Sequence, residues 1–160
     1  MAALLAALML TTAHAAIEFY GKLGALTTAT DIILWKCSPQ PSITVAHAAV
    51  RDDVPIVATP PNIRIQVAKA TSATTCPASG DVGWTAAQTT SGEGTWSPFT
   101  ANISVSQTPP NNYYCIKVTK ATASTNADDY RVIHRCGINP TYPGPIVNFQ
   151  STFHRYTQDQ

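Results

Sequence analysis

Apolar and polar positions alternate with period two along most of this chain, and that pattern predicts strands. In residues 17–25, Ile17, Phe19, Gly21, Leu23 and Ala25 fall on one face, with Glu18, Tyr20, Lys22 and Gly24 on the other. Residues 63–68 set Ile63, Ile65 and Val67 against Arg64 and Gln66. Residues 113–119 set Tyr114, Ile116 and Val118 against Tyr113, Cys115 and Lys117. Residues 32–37 are apolar on both faces, which predicts a central strand covered on both sides. Further strands are expected at 43–50, 54–58, 99–106, 130–136 and 146–156, with a weaker one at 82–87 around Trp84.

Breaks separate these runs. Ser38-Pro39-Gln40-Pro41, Thr59-Pro60-Pro61 and residues 107–112 are turns; Arg51-Asp52-Asp53 reads as a loop tip. Residues 71–80, 89–94 and 121–129 read as polar loops, and 137–145 as a turn-rich link. The sum is about seven to ten short strands at intervals of roughly ten residues, the signature of a sandwich or barrel. The expected fold is all-β: an immunoglobulin-like β-sandwich with an N-terminal extension strand.

The 160 residues suit one domain. Twelve prolines leave little room for long helices. Only residues 1–16 read as helical, and they look like a secretory leader: an apolar run over 2–10, then Ala13-His14-Ala15 as a small-x-small cleavage pattern. The run is shorter than the ~20 apolar residues a membrane span needs. The expected division is a leader at 1–16, an extension at 17–30 and a sandwich domain at 31–160.

A net charge of +1, with 12% charged residues, gives no basic stripe for displacing counterions, so nucleic acid is not an expected partner. Cys37, Cys76, Cys115 and Cys136 are an even set in an exported chain, which predicts two disulfides. Wide spacing without a C-x-x-C pair argues against zinc. Three connectivities are open. Cys37–Cys76 with Cys115–Cys136 is the expected one, each closing a loop a sandwich can span and stabilising it by roughly 3–4 kcal/mol.

The run Ile17-Glu18-Phe19-Tyr20-Gly21-Lys22-Leu23, with Cys37 and Cys76 following, resembles the start of fimbrial pilins of the chaperone–usher kind. In that family the N-terminal extension completes the unfinished sandwich of the next subunit. The resemblance implies a donor strand of Ile17, Phe19, Gly21, Leu23 and Ala25, in which Ile17, Phe19 and Leu23 plug a neighbour's groove and Gly21 lies where the groove is shallow, and that Cys37 pairs with Cys76. It covers residues 15–76; the polar ending 157–160 and the second cysteine pair depart from the family's pattern. Strand donation satisfies an unpaired edge and fills an apolar groove, and a heterologous contact of this kind propagates into a fibre. Pairing of the same strand within its own sheet is the competing arrangement. Tyr113-Tyr114-Cys115 also resembles the F-strand of immunoglobulin domains, again implying a sandwich.

No set of residues assembles a catalytic or metal site. His47, His134 and His154 lie on separate strands without His-x-His spacing, and His14 lies in the leader. Asp52-Asp53 and Asp128-Asp129 read as solvated turns without calcium-loop spacing, and Glu18 and Glu93 are the only glutamates. No Gly-x-Ser-x-Gly elbow or phosphate loop occurs. Trp84, Trp96, Tyr113 and Tyr114 read as packing residues that would otherwise form a sugar-stacking platform. Asn102-Ile103-Ser104 is a glycosylation sequon. The reading is an extracellular filament subunit, with copies of itself, an export chaperone and glycans as partners, no cofactor, and no membrane contact once the leader is removed. The runner-up is a monomeric secreted domain that binds carbohydrate or protein; a small hydrolase comes third.

Overall fold

A computed structural model describes residues 18–37, 43–53, 61–106, 108, 110–137 and 151–158. The leader 1–16, Ile17, the strand expected at 54–58 and residues 138–150 lie outside the described residues. No described residue is helical, and no described helix is long and apolar enough to cross a membrane.

Two antiparallel sheets pack face to face. The first holds β1 (Glu18–Leu23), β8 (Asp128–Gly137), β3 (Val45–Asp53) and β6 (Ile103–Ser104), in that spatial order. The second holds β5 (Gln88–Thr89), β4 (Ile63–Lys69), β7 (Tyr113–Lys120), β2 (Thr30–Cys37) and β9 (Ser151–Gln158). The sandwich is as expected, but its connectivity is not immunoglobulin-like. Pairs nest as β1·β8, β2·β7, β3·β6 and β4·β5, with β3·β8 and β4·β7 knitting them together. This is a long antiparallel hairpin rolled on itself, the order of a jelly roll with β9 added outside β2. An immunoglobulin sandwich instead groups strands as ABED and CFG. Hydrophobic alternation decides which face a strand buries and is silent on which strand lies beside it.

The inward faces form one core: Leu23, Ile33, Trp35, Val50, Ile65, Val67, Tyr114, Ile116, Val118, Tyr130 and Val132 are its main members. Phe19 packs at its margin, edge-on to Trp35 and tilted on Tyr156, both at 5.6 Å between centroids. A smaller cluster of Leu34, Tyr113 and Cys115 lies on the outer face of the second sheet under residues 70–84, against Ala70, Ala73, Cys76 and Trp84.

The disulfides are Cys37–Cys136 and Cys76–Cys115, which corrects the expected connectivity and the Cys37–Cys76 bridge implied by the pilin resemblance. Cys37 ends β2 and Cys136 lies near the end of β8, on facing inner surfaces of opposite sheets, so their Cα atoms come within 5.8 Å. Cys76 and Cys115 are both on the outside of the second sheet, where the bridge staples the 70–84 loop to β7.

Residues 82–105 fold differently from the sequence expectation, and hydroxyl chemistry explains why. Residues 82–87 form no strand, and only Ile103–Ser104 of 99–106 does. Yet the free flanks of β3 and β4 are paired. Ser97 N–H donates to Val50 O while Val50 N–H donates to Ser97 Oγ; Thr100 makes the same exchange with Ala48. Thr90 does so with Ile63, and Thr85 with Val67. Each hydroxyl stands where a neighbouring strand's carbonyl would be, so the edge amides are satisfied and blunted against strand addition. Replacing Thr100 by Val should strand the Ala48 amide and cost about 1–2 kcal/mol; hydrogen exchange at Ala48 should quicken while that at Val50, held by Ser97, does not.

β1 is the edge strand of its own sheet, paired within the chain. Its residues pair with β8 from Glu18↔Ile133 to Leu23↔Asp128, and Leu23 is fully buried in the chain's own core. Gly21 is required by its partner: a Cβ there would lie 2.2 Å from the Tyr130 ring, which crosses the strand to donate its hydroxyl to Asp31 at 2.6 Å.

Candidate functional site

The outer face of the first sheet presents side chains in rows. Glu18, Ile133 and Ala49 lie abreast across β1, β8 and β3; then Tyr20, Arg131 and Arg51; then Lys22, Asp129 and Asp53. Beyond the first row, Arg135 faces His47. The blunting segment 94–105 runs along β3 and folds partly over this face, so that Trp96, Ser97, Pro98 and Phe99 wall a cleft of about 330 Å³ floored by Ala49 and Ile133 and closed at one end by Arg135. The Arg135 guanidinium stacks on Phe99 at 4.6 Å, and His47 packs against the same ring at 4.5 Å. Burial, reinforced by the Arg135 charge, holds the His47 pKa below its ordinary value, so the neutral ring donates from Nδ1 to Asn102 Oδ1 at 2.9 Å.

A second, shallower groove of about 580 Å³ continues on this face, lined by Tyr20, Lys22, Arg51, Asp53, Asp129 and Arg131 among others. Its charges are paired: Arg131 with Glu18 and with Asp53, both at 2.9 Å, Arg51 with Asp53 at 3.1 Å, and Lys22 with Asp129 at 3.5 Å. Tyr20 lies under the Arg131 guanidinium at 4.5 Å and stays 61% exposed.

A different polar cluster sits inside one end of the sandwich. β3 runs on through Arg51-Asp52-Asp53, where the sequence predicts a loop, and β8 starts at Asp128. Asp52 and Asp128 are therefore buried core-facing residues, not members of solvated turns. Among the described residues neither Asp52 oxygen finds an N–H or O–H donor. Burial first, then the neighbouring Asp128 charge, raises the Asp52 pKa to about 7. Burial raises Asp128 too, against the pull of Lys120. Burial and the repulsion between the two carboxyls both favour a pair that carries one proton, held more tightly by Asp52. No group of three or more His, Cys, Asp or Glu among the described residues is arranged to hold a metal ion.

Lys120, also buried, reaches four carbonyl oxygens: Gly24, Leu26, Ser124 and Asn126, at 2.5–3.0 Å. Its ammonium thus ties the β1–β2 connection to the β7–β8 connection. Lys120→Met should cost about 2 kcal/mol by leaving these acceptors unpaired, with faster exchange at the amides of residues 24–29 as the local readout.

Of the residues singled out from sequence, Phe19, Gly21 and Leu23 lie together in the chain's own sandwich, and Ala25 is exposed beyond the strand. Tyr114 belongs to the core, where its hydroxyl meets His134 Nδ1 at 2.8 Å. Trp84 and Tyr113 pack on the far side of the molecule, with Lys117 over Trp84 at 4.6 Å. Asn102 is exposed beside the cleft. Only Trp96 of the four aromatics lines it. Phe99, Ile133 and Arg135 were not singled out; the outward period-two positions of residues 129–135, read together with Trp96-Ser97-Pro98-Phe99, are the signal that finds them. No protein-family model matches the chain, and no curated protein matches it, so the functional reading rests on this geometry.

Proposed function

We propose that this chain is an exported recognition domain, a sandwich completed by its own first strand that binds a ligand on the outer face of its first sheet and catalyses no reaction. The observation that carries this reading is the aromatic-walled cleft of about 330 Å³, whose size and lining of apolar groups with a few polar ones are those of a ligand pocket. Lectin domains are among those built on the nested strand order; that likeness is an analogy of fold and adds only background. Two disulfides fit an oxidising compartment, and extracellular placement is part of the proposal. The test is to present the oxidised protein and its Trp96→Ala variant to glycan and peptide arrays. Ligands retained by the wild type should fall at least about tenfold in the variant. Equal binding by both would remove the cleft from the account.

Filament assembly by strand donation is a second reading, favoured by one observation: β1 lies at a sheet edge and pairs only with β8 among the described residues. A neighbour's β1 would make the same contacts with Phe19, Gly21 and Leu23. Against exchange stands the Lys120 tie on residues 24 and 26, which form part of the connection that would have to open.

A further inference from the structure

The cleft and the shallower groove share the outer face of the first sheet, one row apart. Ala49 and Ile133 floor the first; Arg51 and Arg131, two residues along the same strands, belong to the second. Two residues of strand are about 7 Å. Each depression offers an aromatic surface, Trp96 and Phe99 in one and Tyr20 in the other. The polar groups around them are four cations, Lys22, Arg51, Arg131 and Arg135, and three anions, Glu18, Asp53 and Asp129. The anions are all ion-paired, so the face carries almost no net charge and alternates strong donors with strong acceptors.

That combination selects among ligand classes. A polyanion needs an uncompensated basic surface, and here the cations are offset by carboxylates. A purely apolar ligand would leave the rows of charged groups facing nothing. A hydroxyl is donor and acceptor at once and suits a carboxylate beside a guanidinium. A pyranose adds an apolar C–H face that can lie flat on an aromatic ring. We propose that the two depressions are consecutive subsites for a neutral oligosaccharide, one sugar held against Trp96 and Phe99 over Ile133, the next over Tyr20 and the Arg131–Asp53–Glu18 pairs. This rests on the recognition reading above and extends it to a ligand class and a direction, running along β8 and β3.

The test uses the full oxidised chain in titration calorimetry and affinity electrophoresis. The probes are neutral xylan, glucan, mannan and galactan oligosaccharides of one to six sugars, with dextran sulfate as the polyanion and an arrayed peptide set as the protein-like alternative. Affinity for at least one neutral series should rise at least tenfold from one sugar to several. Tyr20→Ala, at an exposed position that leaves the core intact, should lower affinity about tenfold and flatten the length dependence. Trp96→Ala should abolish binding, and Trp84→Ala, on the opposite sheet, should change nothing. Binding to no neutral series overturns the carbohydrate assignment, and Trp96-dependent peptide capture would then preserve the cleft as a recognition site. Tighter, salt-sensitive binding of dextran sulfate also overturns it. A neutral sugar bound with full dependence on Trp96 and none on Tyr20 overturns the second subsite alone. Sugar binding indifferent to Trp96 defeats both this inference and the reading beneath it.

Discussion

Replacing Cys37 and Cys136 together by alanine should lower the stability of the domain by about 4–5 kcal/mol. The bridge closes a separation of 99 residues, against 39 for Cys76–Cys115, and a cross-link that spans more of the chain removes more freedom from the unfolded ensemble. Its position adds to this. Cys37 and Cys136 are core residues that fasten one sheet to the other, whereas Cys76–Cys115 holds a surface loop against β7. A loss of 4–5 kcal/mol is a large share of the 5–15 kcal/mol typical of a domain. Urea unfolding checks the magnitude. The Cys76→Ala/Cys115→Ala variant should lose less and keep the β1–β8 amides protected; a loss as large as that of the first pair would contradict the assigned roles.

Asp52→Asn should convert a nearly flat dependence of stability on pH into a steep one. Two opposed sets of groups meet in the wild type. Burial lowers His134 to about 3 and also lowers His47, so below their ordinary value of 6.5 the unfolded chain takes up protons that the folded one refuses. That contribution is present above pH 6.5 and lost as pH falls. Asp52, raised from 3.8 to about 7, and Asp128, also raised, do the reverse: the folded domain keeps a proton that the unfolded chain gives up near pH 4, so their contribution is lost as pH rises toward 7. Between about pH 4 and 6.5 the slopes oppose each other. An asparagine at 52 cannot take up the extra proton and so removes the Asp52 share of the carboxyl slope. Stability of the variant should then climb with pH by about 1 kcal/mol per unit across that window. Denaturant titrations at several pH values measure it; parallel profiles for variant and wild type would contradict the shared proton.

The strongest alternations translated directly into structure. Residues 63–69 and 113–120 became β4 and β7 with the expected faces inward, and β2, apolar on both sides, lies between two neighbours. The inward face of β1 was equally legible; its partner was not, because the plugs that would fill a neighbour's groove fill the chain's own just as well. Charge hid one feature. Arg51-Asp52-Asp53 reads as a loop tip, yet Asp52 is core-facing, its carboxyl pushed toward the neutral form by burial and then by Asp128, a residue 76 positions away. Hydroxyl pairing hid another: Thr85, Thr90, Ser97 and Thr100 act as strand edges without a hydrophobic period. The disulfides could not be paired from spacing, since connectivity follows from which sheet each strand joins. The cleft was half legible, through Trp96, because its floor joins Ala49 of β3 to Ile133 of β8, each more than thirty residues from Trp96 along the chain.

Sedimentation velocity of the oxidised protein, from micromolar to near-millimolar concentration, tests most directly whether this sandwich is closed from within. One species with the mass of a single chain, unchanged across that range, is the result expected when Phe19 and Leu23 stay under Trp35 and Tyr130 of the same molecule. A ladder of multimers that outlasts mild denaturant and collapses only on heating would show those side chains lodged in other copies, and the monomeric account would fall.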